Sequence, residues 1–151
     1  MLLARRLHTL ALLKPDLLAN PQTVAEIISE IQRTPGLQIA RRAQVFWTRE
    51  EAERFYDEHR GRFFFRRLVD YMTSGPIEAL ALRGPTAVTL WRQMMGSTHP
   101  VRMRVTNAGC LRARYGLTDT RNSFHGSDSP QSAARELRLV FGEQITREME
   151  A

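Results

Sequence analysis

The run Arg121-Asn122-Ser123-Phe124-His125-Gly126-Ser127-Asp128-Ser129 gathers an imidazole, an amide, hydroxyls and a carboxylate around one glycine. Pro130 follows, and Ser129-Pro130 reads as a helix N-cap with proline at the first helical position, where a missing N–H costs nothing. Ala133, Leu137, Val140 and Phe141 then recur at the spacing of a core-facing helical stripe. His125 should therefore stand in the approach to a helix N-terminus, whose unpaired N–H groups and dipole favour an anion. A neutral imidazole beside a phosphate-sized anion site is suited to accept a phosphoryl group as a nucleophile. A lone histidine in a polar loop more often only satisfies backbone groups, so the weight rests on its companions.

Lys14 is one such companion. It is the single lysine among 22 basic residues, the rest being arginine. Retaining one compact ammonium in so arginine-rich a chain suggests a place where a point charge, not a planar fork, is wanted. The segment Arg60-Gly61-Arg62-Phe63-Phe64-Phe65-Arg66-Arg67 interleaves cations with rings. It reads either as a stacking surface for nucleic acid or as a short amphipathic helix. In the second reading Phe63 or Phe65, Leu68, Val69 and Met72 face the core and the arginines are solvated.

The scaffold for these groups is a chain of 151 residues, the length of a single domain able to bury a core without staples. Hydrophobic content of 42% and charged content of 25% are those of an ordinary globular protein. No apolar run is long enough to span a bilayer. The single cysteine, Cys110, excludes an internal disulfide and fits a reducing compartment. The apolar run after Arg5-Arg6 lacks a small-residue cleavage site before Lys14-Pro15-Asp16, so it is read as a strand and not as a signal peptide. The net charge of +6 favours phosphate-rich partners, a class that includes nucleotides, nucleic acid and membrane surfaces.

The elements follow in order. His8–Leu13 is a buried strand. Asn20-Pro21 opens a helix carrying Val24, Ile27, Ile28 and Ile31, and Pro35-Gly36 stops it. Leu37–Trp47 has the period of an amphipathic strand. Thr48 with Glu51 is a capping box for a helix through Ala52, Phe55 and Tyr56. Ile77–Leu82 is a short apolar strand, and Gly84-Pro85 starts a helix with Val88, Trp91, Met94 and Met95 apolar. Val101–Gly109 reads as a polar, arginine-bearing loop before the last strand and helix. Strands and helices in this order give an α+β sandwich.

The stretch Asn122 through Ser129 resembles the Asn-x-x-His-Gly-Ser-Asp-Ser pattern of the nucleoside diphosphate kinases, and it is complete here. Lys14-Pro15-Asp16 resembles that family's strand end, and Arg92 to Pro100 its Arg-x-x-x-Gly-x-Thr-x-Pro run. The likeness spans His8 to Phe141. It implies a ferredoxin-like fold: a four-stranded antiparallel sheet with helices covering it and a long loop inserted before the last strand. It implies a single kinase-like domain over residues 1–151. The implied activity is ping-pong transfer of a γ-phosphoryl from a nucleoside triphosphate, ATP among others, to a nucleoside diphosphate through a phosphohistidine on His125. Lys14, Arg92 and Arg112 would then hold phosphate oxygens, with Thr98 as a neutral donor and Asn122 on the sugar. Phe64 and Leu68 would sandwich the base, and Tyr56 would stand near the histidine. Ser127 and Glu136 would hold the imidazole and the entering phosphate. Glu136 lies beside the apolar stripe of its helix, where a carboxylate needs a partner. Asp128 would assist Mg2+ through water.

The sequence also departs from the family pattern. Phe63 replaces a proline found in many relatives. The loop after Pro100 is about three residues longer, a change that chain entropy tolerates. Asp119 stands where an aliphatic residue usually faces the base, and little chain follows Gly142. The loop and the run Gly116 to Arg121 resemble the divergent type-6 branch. These departures imply a homo-oligomer smaller or weaker than the family hexamer. They also motivate an alternative: a catalytically weak relative that binds nucleotides or, secondarily, nucleic acid. Mitochondrial and cytoplasmic placements both fit.

Overall fold

The computed structural model describes residues 7–118 and 121–150. Its centre is β1 (Leu7–Leu13), whose last five residues are buried. An apolar strand of this kind needs cover on both faces. It is flanked by β3 (Ile77–Gly84) and the short β4 (Phe124–Gly126), and β2 (Gln38–Val45) closes the far edge. The sheet order is β2-β3-β1-β4 with antiparallel pairs throughout, the ferredoxin-like arrangement expected. In this register His125 lies opposite Leu12 on the outer strand.

Alternation along β1 divides the core. Leu10 and Leu12 face a cluster built with α3 (Arg49–Phe55), α4 (Phe65–Met72), α8 (Pro130–Phe141) and α9 (Gln144–Glu150). Ala11 and Leu13 face the opposite cluster, from α1 (Pro15–Leu18), α2 (Pro21–Gln32), α5 (Ala87–Met95) and α7 (Leu111–Tyr115). Each fully buried leucine contributes about 1.5–3 kcal/mol by leaving water. Helix starts follow local chemistry. Asn20 accepts from the Gln22 N–H, Ser129 accepts from the Ser132 N–H, and both bonds of the Thr48–Glu51 capping box are made.

Three local expectations are corrected, and one left open between two residues is decided. Gly84 pairs with Leu7 as the last residue of β3, pressed so close to the Gly36 carbonyl that a Cβ would overlap it, and the helix begins only at Ala87. Phe63 is 85% exposed, and Phe65 takes the inward position. The segment after His99 is not a loop throughout, since α6 (Pro100–Thr106) runs through it. Val101 and Val105 are exposed there, so no core-facing stripe announced the helix. Its Arg104 guanidinium instead reaches the Ala113 and Gly116 carbonyls at 3.2 and 2.6 Å, capping the end of α7. Beyond Gly142, α9 buries Ile145 and brings Met149 against the same cluster, cover that the reading of a short tail passed over. Asp119, singled out for its place near the base, lies outside the described residues.

Candidate active site

β4 is pressed onto α5. The Trp91 indole N–H donates to the His125 carbonyl at 3.0 Å. A Cβ on Gly126 would meet Trp91 Cδ1 at 2.7 Å, so only glycine allows this approach. The strand therefore has little freedom to shift, and the His125 ring projects from a fixed base.

Glu136, reaching from α8, accepts a hydrogen bond from His125 Nε2 at 2.6 Å. The fully buried Ser127 hydroxyl donates to the same Oε1 at 3.0 Å and accepts from the Leu10 N–H at 3.2 Å. The awkward carboxylate thus has its partners. A carboxylate on Nε2 selects the tautomer with the proton there and leaves the Nδ1 lone pair for chemistry. Among the described residues Nδ1 has no hydrogen-bond partner. Phe55 and Tyr56 meet the imidazole edge-on, with centroids 5.1 and 6.3 Å away. The Tyr56 hydroxyl is buried and makes no hydrogen bond among the described residues. Burial and the nearby Glu136 charge push its pKa up, so it stays a donor at ordinary pH.

On the other side stands Lys14, 4% exposed, with Nζ donating to Asn122 Oδ1 at 3.2 Å. Burial and then the Arg112 charge lower its pKa to about 7, against the opposing pull of Asp16. Arg112, 7% exposed, donates to the carbonyls of Gly96 at 2.7 Å and Phe124 at 2.9 Å. Burial and the Arg92 charge bring it down to about 10. It therefore ties the end of α5 to the histidine strand as well as charging the cleft.

Two cavities meet at His125. One, of about 890 Å³, is lined by Arg92, Gly96, Thr98, Asp128 and Glu136 among others. The second, of about 500 Å³, is lined by Lys14, Tyr56, Phe64, Leu68 and Asn122. His59, Thr98, Arg112 and His125 border both. The first sets Arg92 and Arg112 beside the carboxylates of Glu58, Asp128 and Glu136, and the second has an aromatic wall where Phe64 meets the rings of His59 and Phe63 at 5.2 and 5.5 Å. All the site residues named from sequence thus come to one place, but Ser127 reaches the imidazole only through Glu136. Sequence reasoning left out Trp91, Phe55 and Asp16. The Lys-Pro-Asp run was the available signal for Asp16.

Among the described residues no trio of His, Cys, Asp or Glu side chains is grouped to hold a metal ion. Asp128 lines the cavity that holds Arg92 and Arg112, and hydrogen bonds from Ser132 and Ser129 hold its carboxyl below the usual range. One ionised carboxylate on an open cleft fits a magnesium ion that arrives with phosphates and keeps most of its waters.

A model of the nucleoside diphosphate kinase family matches residues 7–145. The chain belongs to the nucleoside diphosphate kinase family. Among relatives, nucleoside diphosphate kinase 6 of Xenopus tropicalis is 46% identical over 135 residues, covering 89% of this chain and 75% of its own. The nucleoside diphosphate kinase of Deinococcus radiodurans is 43% identical over 139 residues, covering 90% and 95%. The crystal structure of the Aquifex aeolicus nucleoside diphosphate kinase superposes with a TM-score of 0.86 at 33% identity, over 92% of this chain and 97% of that one. The kinase fold and the resemblance to the type-6 branch both stand on these likenesses.

Proposed function

We propose that the protein moves a γ-phosphoryl group from a nucleoside triphosphate to a nucleoside diphosphate by way of His125 Nδ1. The observation that carries this is the Glu136 carboxylate on Nε2, which leaves the opposite nitrogen free on a residue bordering both the arginine-bearing and the aromatic cavity. In the first half-reaction Nδ1 forms a bond to the γ-phosphorus, and the bond to the β,γ-bridging oxygen breaks. The departing nucleoside diphosphate keeps that electron pair. Positive charge gained by the imidazole is shared with Glu136. A second nucleoside diphosphate then attacks the phosphohistidine in reverse.

Phosphoryl transfer asks mainly for positioning and for positive charge around the moving group. Arg92, Arg112 and Thr98 supply these at the diphosphate, and Lys14 and Asn122 bridge phosphate and sugar. Phe64 and Leu68 take the base through apolar contact that any base can make. Tyr56, its hydroxyl kept protonated, stands with its ring against the imidazole as a donor near the reacting region. Asp128 would hold Mg2+ through water, and the ion would neutralise phosphate charge. Incubation with γ-labelled ATP and magnesium should give an acid-labile, base-stable label that discharges onto GDP. Absence of label at high protein concentration would overturn the reading and leave a nucleotide-binding relative without transfer activity.

Lys14 offers an independent check. With a pKa of about 7 it is mostly neutral at pH 8, and a bound phosphate restores its charge. Binding of ADP at pH 8 should therefore take up as much as about one proton per site. Calorimetry in buffers of different ionisation enthalpy measures this, and Lys14→Ala should abolish the uptake.

A further inference from the structure

We infer that Asp16 is a positioning residue for the nucleotide: by pinning the hydroxyls of Tyr71 and Ser123 together, it fixes the turn that sets Asn122 against Lys14. The inference rests on the proposed role of Lys14 and Asn122 in holding nucleotide.

Asp16 follows the end of β1 by three residues, yet its partners come from α4 and from the strand leading to His125. One carboxylate oxygen accepts from the Tyr71 hydroxyl and the other from the Ser123 hydroxyl. These partners are 55 and 107 residues away in sequence, so the carboxylate joins three distant segments at one point. Bonds from hydroxyl to ionised carboxylate are among the stronger polar contacts available.

Ser123 is held in an unusual shape. Its φ of 72° makes it the one positive-φ residue other than glycine among the described residues. Serine adopts this region only where surroundings impose it. Here its carbonyl accepts from the Lys14 N–H at 2.9 Å, and its hydroxyl lies 3.2 Å from the Tyr115 carbonyl besides donating to Asp16. Asn122 precedes it and His125 follows two residues later. Release of Ser123 into an ordinary conformation would turn the Asn122 amide away from the Lys14 ammonium, 3.2 Å off at present.

The carboxylate also acts through charge. Lys14 is faced by Arg112 from α7, by the Tyr71 ring from α4 with its centroid 5.7 Å away, and by Asp16. Arg121 lies 5.8 Å from the same ring centroid and near the Asp16 carboxylate. Within this set Asp16 supplies the negative charge that counters the desolvation of Lys14 and its repulsion from Arg112. Removing that charge leaves the ammonium easier to deprotonate.

Two variants separate geometry from charge. Asp16→Asn keeps the shape, since the hydroxyls can turn to meet an amide, and removes the charge. Tyr71→Phe removes one tether and keeps the charge. Asp16→Asn should weaken ADP binding at pH 8 on the order of tenfold, the loss expected for one charge-assisted contact. It should also move the alkaline limb of kcat/KM to lower pH, while turnover at saturating nucleotide changes far less. Tyr71→Phe should weaken binding by a smaller factor and leave the limb in place. A purely structural Asp16 would lower the melting temperature with the dissociation constant and pH limb both at their wild-type values, and that result overturns the inference. Lys14→Ala is the control: if it fails to weaken ADP binding, the reading of Lys14 itself is wrong, whereas weakening there with none in Asp16→Asn defeats only the role of Asp16. Should Asp16→Asn fold poorly, unchanged binding in Tyr71→Phe overturns the tethering on its own.

Discussion

Replacing His125 with alanine is expected to abolish labelling by γ-labelled ATP and to cut steady-state transfer on the order of 10⁴-fold or more, as loss of a covalent nucleophile does. That factor corresponds to about 5.4 kcal/mol of transition-state stabilisation. The expectation is large because the other imidazole bordering both cavities, His59, lacks the bond to Glu136 that orients His125. Among side chains around it, Ser127 is fully buried and already committed to Glu136 and Leu10, and burial keeps the Tyr56 phenol protonated. The same change should barely affect nucleotide binding. Lys14, Asn122, Phe64 and Leu68 are positioned by β1, α4 and the Ser123 turn, not by the imidazole. The strand should also survive, since its anchors are the Trp91 bond to the backbone carbonyl and the fit of Gly126. Phosphoenzyme formation, ADP calorimetry and a melting curve on one variant test these three statements together. Persistent label would place the nucleophile elsewhere.

Residue types and short-range spacing exposed much of this arrangement. Caps at Asn20, Thr48 and Ser129 were legible because they act within three residues, and apolar stripes because a buried helix face has one period. The histidine run and Lys14 were legible as a family pattern. What stayed hidden depends on contacts made across the fold. Arg112 was readable as a cation for phosphate, but its bonds to Gly96 and Phe124 join residues 16 and 12 positions away in opposite directions. α6 was hidden because it lacks an apolar stripe: Pro100 is buried, Val101 and Val105 are exposed, and its own Arg104 ties it to the end of α7. α9 was hidden because its apolar inward positions are just Ile145 and Met149. The reacting nitrogen was likewise beyond sequence, since it follows from where α8 places Glu136.

Lys14 and Arg112 share a physical logic. Both cations are removed from water before any ligand arrives, and both have lowered pKa values for that reason. Such charges cost stability in the empty protein, and in the proposed role phosphate oxygens would offset part of that cost on binding. Under the proposed function, a site built this way would favour phosphate because the ligand offsets that cost. It also explains why one lysine persists in an arginine-rich chain: an ammonium yields and regains its proton near neutrality, which a guanidinium does not.

Glu136 gives the second large effect, and its two simplest variants should differ in kind. Glu136→Gln keeps an oxygen able to accept from both His125 Nε2 and Ser127 Oγ, so the tautomer and ring orientation can persist. It removes the charge that balances the imidazole once Nδ1 carries phosphate. Turnover should fall on the order of 10²-fold, in the range of a positioned acid–base partner, with KM for the nucleoside diphosphate little changed. Glu136→Ala goes further. It strands the Ser127 hydroxyl in a buried site, which costs about 1–3 kcal/mol of stability, and it frees the imidazole to present a protonated Nδ1. Transfer should therefore drop below that of the glutamine variant, and the melting temperature should fall with it. The measurement is single-turnover phosphorylation of His125 by γ-labelled ATP beside thermal unfolding of both variants. Equal rates in wild type and Glu136→Gln would show that the carboxylate charge has no part in the chemistry. Equal rates in the two variants would show that orientation of the ring, supplied by the hydrogen bond to Oε1, has none either.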